Sequence, residues 1–155
     1  MNANRIADRV YGEIRLPDVA ARLSSTVEFS RLDDIRQLGG CAFVYPSATH
    51  TRREHSIGVC HLSGLVALHL KKLYPEKVTD DDVLCVQLAA LVHDLGHGPF
   101  SHLFEDYVGD GFCHEVMGVK LFRIMLQNHP EIHLETHFDG DVGDNLNFVE
   151  LLVQG

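Results

Sequence analysis

The segment Leu91-Val92-His93-Asp94-Leu95-Gly96-His97-Gly98-Pro99-Phe100-Ser101-His102 holds the residues best suited to chemistry. An imidazole and a carboxylate sit side by side at the end of an apolar run, and two more histidines follow a glycine-rich break. Nitrogen and oxygen donors of this kind suit a hard or borderline divalent metal ion. His97 and His102 can protonate a leaving group or hold phosphate oxygens. Together the residues point to metal-assisted hydrolysis of a phosphate ester.

His93 and Asp94 would diverge on a continuing helix, so they can meet one ion only if the helix ends there, as Gly96 allows. The same pair also serves as a helix cap or a core hydrogen bond. His97 completes an H-x3-H spacing with His93, but the glycines on either side of it move it to a loop lip that faces substrate. The chain has eleven histidines, which makes imidazole chemistry worth seeking elsewhere too. His55, after Thr51-Arg52-Arg53-Glu54, is the candidate third ligand, with helix capping as its competing role. Arg52 or Arg53 can grip a phosphate as a planar fork. His114 opens a helix of its own. His61 and His69 read as packing or surface residues, and His129, His133 and His137 as surface residues.

These side chains must be positioned by helices. Residues 1–18 read as an irregular lead with a turn near Gly12, another at Pro17-Asp18, and a short extended piece over Asp8–Ile14. Helices are expected over about Asp18–Ser24 and Thr26–Arg36, the second ended by Gly39-Gly40. Cys41–Thr51 reads as a loop. A helix over about Arg53–Leu73 stops before Pro75 and is apolar on most sides, which predicts a central place. Thr79-Asp80-Asp81-Asp82 is an N-cap cluster for a helix that runs to about Leu95 and delivers His93 and Asp94. Shorter helices follow over about Ser101–Tyr107, His114–Asn128 and Asn145–Val153, separated by turns at Gly109-Asp110-Gly111 and Asp139–Asp144. Alternation rarely persists beyond four residues, so the expected fold is all-α.

At 155 residues the chain can bury one core, and one domain over 1–155 is expected. A net charge of −9 argues against a general nucleic-acid binder, while a bound cation could still meet phosphate. Cys41, Cys60, Cys85 and Cys113 form no C-x-x-C pair and read as reduced thiols of a reducing compartment. The N-terminus lacks the apolar core of a signal peptide, and the longest apolar runs are too short for a bilayer. The expectation is a soluble intracellular protein, nuclear or cytoplasmic, with no membrane partner.

Two blocks, His50-Thr51-Arg52-Arg53-Glu54-His55-Ser56-Ile57-Gly58 and Leu91–His102, resemble the HD-domain phosphohydrolases. More narrowly they resemble the deoxynucleoside triphosphate triphosphohydrolases, including those with a sterile alpha motif ahead of the HD domain. Phe29-Ser30-Arg31-Leu32, Ile35–Gly40, Tyr45–His50 and Asp82–Gln87 extend the resemblance over nearly the whole chain. It implies an HD-domain helical bundle. It implies His55, His93 and Asp94 as ligands of a divalent metal ion (Mn, Fe, Mg or Zn), and His97, His102 and His114 as phosphate-contacting or proton-transferring groups. It implies Arg52 on the phosphate next to the sugar, and Gln37 and Leu38 beside the deoxyribose 3′ hydroxyl. The implied reaction cleaves a deoxynucleoside triphosphate such as dGTP to deoxynucleoside and triphosphate, and a symmetric homo-oligomer is the implied assembly.

Four departures from the family pattern stand out. Glu105 replaces the usual Asp beside the catalytic histidines. Ser25, Ser30 and Asp33 replace residues that help bind an activating guanine nucleotide in animal relatives, and Tyr11 stands where relatives often carry His. The family's fourth metal ligand, a downstream Asp, lies beyond Gly155, so the bundle is expected to be truncated at its C-terminus, with the apolar faces of 83–95 and 145–153 uncovered. Two alternatives stay open. One is a non-catalytic nucleotide- or nucleic-acid-binding HD remnant acting through oligomerisation; the other is an HD hydrolase of a different nucleotide.

Overall fold

A computed structural model describes residues 4–109 and 111–155. Met1–Ala3 of the expected lead and Asp110 of the expected turn lie outside the described residues. The chain is helical, with one small hairpin at its N-terminal side.

The lead is more regular than expected. Strands β1 (Arg5–Asp8) and β2 (Gly12–Arg15) pair antiparallel, with Ile6 opposite Ile14. The turn expected near Gly12 is this reversal, and it divides the stretch read as one extended piece. Asp8 makes it by accepting the backbone N–H groups of Val10 and Tyr11 at 2.7 and 2.8 Å, and Gly12 takes a φ of +76°. Helix α1 (Asp18–Leu23) follows Pro17, and its Val19, Ala20 and Leu23 are buried with Ile14.

The helix expected over Thr26–Arg36 is much shorter. Thr26 caps α2 (Val27–Ser30), and Arg31–Asp34 tightens into a 3-10 turn. Ile35 is already extended, because Arg52 N–H donates to its carbonyl at 2.8 Å and Gln37 N–H donates to His50 at 3.2 Å. This non-local pairing outweighs the local apolar stripe. Gly39-Gly40 consequently opens a second 3-10 turn (Gly39–Phe43) instead of closing a helix.

Helix α3 (Arg52–Leu73) begins with a reciprocal capping box: Thr51 Oγ1 accepts Glu54 N–H, and Glu54 Oε2 accepts Thr51 N–H. Arg52, Ser56, Ile57, Cys60 and Ala67 are buried. Its C-terminal half departs from the central place expected of it, since Leu62, Leu65, Val66, Leu68, Leu70 and Leu73 are exposed. Helix α4 (Asp80–Val92) opens with a second box, between Thr79 and Asp82, and ends slightly earlier than expected. It is the true centre: Leu88, Leu91 and Val92 are fully buried, and α3 and α7 (Val142–Gln154) pack on it. The 83–95 face is thus covered, contrary to expectation. On α7, Val149 and Val153 are buried while Phe148, Leu151 and Leu152 are exposed, so only part of that face is open.

Helices α5 (His102–Val108) and α6 (His114–Asn128) lie where the sequence placed them. Asp81, in the first turn of α4, accepts N–H groups from Asp139, Gly140 and the Asn145 amide at 2.8–3.0 Å, which fixes the polar loop ahead of α7. These hydrogen bonds, that from Asp139 foremost, outweigh the opposing effect of burial and hold the Asp81 carboxyl below its ordinary range. Burial drives the Cys60 and Cys85 thiols up to about 12, as suits the inert buried thiols expected of them.

Gly96 sets the approach of α6. A Cβ there would lie 2.0 Å from the His114 carbonyl oxygen and 2.4 Å from Gly118 N, both backbone atoms. Only a glycine lets the start of α6 come this close to the turn after α4. Gly96→Ala should lower the unfolding free energy by about 3 kcal/mol in urea titrations, the upper range for overpacking. Gly118→Ala meets ordinary contacts of 3.4 Å or more and should change stability by less than about 1 kcal/mol.

Candidate metal centre

Two neighbouring clusters of donors gather around the end of α4, and the close approach of α6 brings His114 into the second. In the first, His55 comes from the first turn of α3, and His93-Asp94 from the turn that ends α4. His55 Nε2 and His93 Nε2 lie 3.5 and 3.3 Å from the same oxygen, Asp94 Oδ2. The ligand atoms of the three residues all fall within 4.8 Å of one another, so the group can hold a metal ion. His93 Nδ1 lies 2.8 Å from the Ala90 carbonyl oxygen, to which it donates. This fixes the tautomer and leaves the Nε2 lone pair turned toward His55 and Asp94. Burial pulls the His55 imidazole below its ordinary value despite the opposing charge of Asp94, which favours the neutral, ligating form.

Asp94 is almost wholly buried. Burial by itself raises a carboxyl pKa, yet contacts with His97, His93 and the Arg52 guanidinium hold Asp94 well below the usual carboxylate range. Arg52 is itself 4% exposed; its Nη1 donates to Asp94 Oδ2 at 2.7 Å and its Nε to Ser101 Oγ at 3.0 Å. The arginine expected on a phosphate is therefore turned inward, onto the carboxylate. Arg53, its expected alternate, is engaged elsewhere, with Asp33 and the Ser24 carbonyl.

The second cluster joins His97, His102, Glu105 and His114. Glu105 ties two imidazoles together: Oε2 accepts from His102 Nδ1 at 2.9 Å, and Oε1 accepts from His114 Nδ1 at 2.7 Å and His114 N–H at 2.9 Å. The longer side chain thus reaches His114 with full hydrogen-bond geometry. Burial opposes ionisation of Glu105, but these hydrogen bonds prevail and lower its pKa to about 2. His97 stacks on His114, with centroids 3.9 Å apart and planes 14° apart. It is fully buried, and desolvation favours its neutral form. His97 Nε2 sits 3.2 Å from Asp94 Oδ1 without the alignment of a full hydrogen bond, so both ring nitrogens lack a hydrogen-bond partner.

Gln37 lines a cavity of about 410 Å³ together with Tyr11, His50, Glu54, His55 and Leu62. Leu38 is half exposed and is not among the residues lining that cavity. Two supporting residues carried no assigned role in the sequence reading. Arg31 donates to the carbonyls of Leu95 and His97, clamping the metal-site turn to the 3-10 turn after α2. Ser101 accepts from Arg52 and donates to the Arg36 carbonyl at 2.8 Å, with Phe100 and Ser101 both held at positive φ, 64° and 58°. Both lie in blocks that carried the resemblance, but only tertiary packing gives them partners. The outlying histidines are mixed: His129 is half-buried between Glu28 and Glu131, whereas His69 and His133 are exposed.

A helical fold with His55, His93 and Asp94 gathered at a buried helix end defines a class: the chain belongs to the HD domain family, whose model matches residues 52–143. The relatives are narrower in kind. The chain is 38% identical over 156 residues to the deoxynucleoside triphosphate triphosphohydrolase SAMHD1 homolog of Dictyostelium discoideum, covering 97% of this chain and 29% of that protein. It is 42% identical over 129 residues to deoxynucleoside triphosphate triphosphohydrolase SAMHD1 of Gallus gallus, covering 79% and 21%. It is 48% identical over 101 residues to that of Homo sapiens, covering 64% and 16%. The chain thus spans less than a third of the length of these curated relatives.

Two predictions follow from the geometry. Arg52→Ala leaves Asp94 buried without its guanidinium and should cost about 3–5 kcal/mol in chemical denaturation; Arg52→Ala/Asp94→Ala should recover part of that loss. Glu105 is lowered from 4.5 to about 2, so its contribution to stability is fully present above pH 4.5 and is lost as pH falls through about 2. Glu105→Gln should therefore be less stable than the parent near neutrality, with the gap in urea midpoint narrowing steadily as the pH falls below about 4.5. A gap independent of pH would contradict this.

Proposed function

We propose that this chain carries the metal-binding and proton-transfer part of a deoxynucleoside triphosphate triphosphohydrolase, releasing deoxynucleoside and intact triphosphate. The observation that carries the reading is the convergence of His55 Nε2 and His93 Nε2 on Asp94 Oδ2, beside a buried His97 whose ring nitrogens have no hydrogen-bond partner. The donor set fits a divalent cation: two imidazoles held neutral or fixed in tautomer, and one ionised carboxylate. The relatives supply the substrate class, since the proteins matched over this region are named as dNTP triphosphohydrolases.

In this reading His55, His93 and Asp94 would hold the ion, which would supply Lewis acidity and a more acidic water for hydrolysis of the phosphate ester. Arg52, buried against Asp94, keeps that carboxylate ionised and aimed. His114, the more accessible of the stacked pair, offers its ring to phosphate oxygens, with the fully buried His97 behind it. His102 is the more exposed imidazole, and Glu105 accepts its Nδ1–H, which orients the ring so that Nε2 can deliver a proton to the departing sugar oxygen. Gln37, on the cavity next to His55, contacts the deoxyribose, with Leu38 beside it. Among the described residues no helix is long and apolar enough to cross a membrane. Four unpaired thiols support a reducing, intracellular setting for the reaction.

The test is turnover of dGTP and the other dNTPs by the purified chain with added Mn²⁺, Fe²⁺, Mg²⁺ or Zn²⁺, with products resolved by anion exchange. Equimolar deoxynucleoside and triphosphate is the expected result. His93→Ala/Asp94→Ala should lose metal binding and reduce kcat by at least about a thousandfold. Release of orthophosphate, or nucleotide binding without turnover, would replace this reading with another HD hydrolase or a binding module.

A further inference from the structure

We propose that the cavity between the hairpin turn and α3 is the nucleobase pocket of the site, with Tyr11 as the ring on which the base stacks. The inference rests on the deoxynucleotide reading above and adds to it the placement and choice of the base. The cavity, about 410 Å³, falls within the roughly 300–1,000 Å³ of small-molecule sites. It adjoins the metal group directly, because His55 belongs to both: the residue lines the cavity, and its Nε2 lies 3.5 Å from Asp94 Oδ2. Val10, Tyr11, Gly58, Val59 and Leu62 supply apolar lining, and Gln37, Ser47 and His50 supply polar lining. That mixture suits a planar base carried on a hydroxylated sugar.

Charge decides which end of the substrate enters. Asp8, Arg9 and Glu54 also line the cavity, two carboxylates against one guanidinium. Arg9 Nη2 is already paired with Glu54 Oε1 at 2.6 Å, so this trio has no positive charge to spare. A triphosphate carries several negative charges and is repelled by such a lining, whereas base and deoxyribose are neutral. The bond broken joins the sugar oxygen to the first phosphorus. That phosphorus therefore lies at the metal group, and the two ends of the substrate leave it in different directions. The neutral end passes His55 and Gln37 into the cavity, and the phosphate tail runs to the side of His102 and His114.

Tyr11 is held ready to receive a base. A Cβ at Gly58 would lie 3.3 Å from Tyr11 Cε2, so the ring rests across α3 where that helix has no side chain. His61, on the next turn of α3, meets it with centroids 5.4 Å apart and planes tilted by 53°. Its backbone N–H is fixed by Asp8 Oδ1 at 2.8 Å. Tyr11 nonetheless stays 41% exposed, which leaves aromatic surface for a further ring. Because the ring is already placed, little side-chain freedom is lost when a base stacks on it. Stacking tolerates every base, since each has a π-face, and a purine offers the larger one. The pocket thus accepts all four bases and favours purines.

The test mixes the purified chain with the triphosphate of 2-aminopurine deoxyriboside in a stopped-flow fluorimeter, so that binding is read before turnover. Stacking quenches the emission of this base. Quenching should saturate in the parent chain, persist in Tyr11→Phe and be lost in Tyr11→Ala, while affinity for inorganic triphosphate stays the same in all three. In steady-state assays of the four dNTPs, Tyr11→Ala should raise KM for dATP and dGTP about tenfold with little change in kcat, and should narrow the preference for purines. Gly58→Ala, a favourable change for a helix, should weaken purine binding by pressing on the ring. Circular dichroism checks the fold of each variant. Quenching undiminished in Tyr11→Ala, or loss of inorganic triphosphate binding along with it, overturns the pocket. Turnover with KM and base preference unchanged in Tyr11→Ala does so too, and leaves the proposed function standing. Tyr11-dependent quenching without turnover upholds the pocket and removes the triphosphohydrolase reading. A parent chain that neither binds nor hydrolyses these nucleotides ends both.

Discussion

The structure depends on a buried carboxylate. Asp94 lies in the interior with Arg52 beside it, and removing two such charges from water costs several kcal/mol per ion before any attraction is counted. The cost is bearable only because the geometry is complete. Arg52 reaches both Asp94 and Ser101, and three imidazoles approach the two carboxylate oxygens from opposite sides. Each partner depends on a different local device. The Thr51–Glu54 box starts α3 at the residue where Arg52 points inward, the Thr79–Asp82 box sets the length of α4, and Gly96 brings α6 against the turn.

Much of this was legible in the amino-acid order, and the reasons differ by element. The α3 and α4 starts were readable because capping is local chemistry: a hydroxyl and an acid three residues apart satisfy two backbone donors wherever they occur. Pro75 marked the end of α3 for a similarly local reason, since a proline disfavours helix in the residue before it. The helix expected over Thr26–Arg36 failed because its outcome depends on residues 50–52, which pair with Ile35 and Gln37 across a loop. The outward face of α3 was misjudged because apolar composition does not say which side of a helix has a neighbour.

For the site, residue types and spacing identified the histidines and Asp94, but not their relations. That Arg52 faces Asp94, that Glu105 bridges His102 to His114, and that Arg31 clamps the Leu95–His97 turn are all contacts between distant residues. No periodicity encodes them. Ser101, which precedes α5, is the clearest case. Its side chain makes no cap hydrogen bond and instead joins Arg52 to the Arg36 carbonyl.

Phe100 and Ser101 carry the last implication. Two consecutive non-glycine residues at positive φ are unfavourable in an isolated chain, at roughly 1–3 kcal/mol each, and become tolerable only where surrounding contacts over-determine them. For Ser101 those contacts come from Arg36 and Arg52, more than forty residues upstream. The 98–102 loop therefore has no reason to adopt its native path until α3 is docked and Ile35–Gln37 has paired with His50–Arg52. The position of His102 and Glu105 is thus tied to contacts made by residues far upstream, and loosening Arg36 or Arg52 would loosen the segment that presents them.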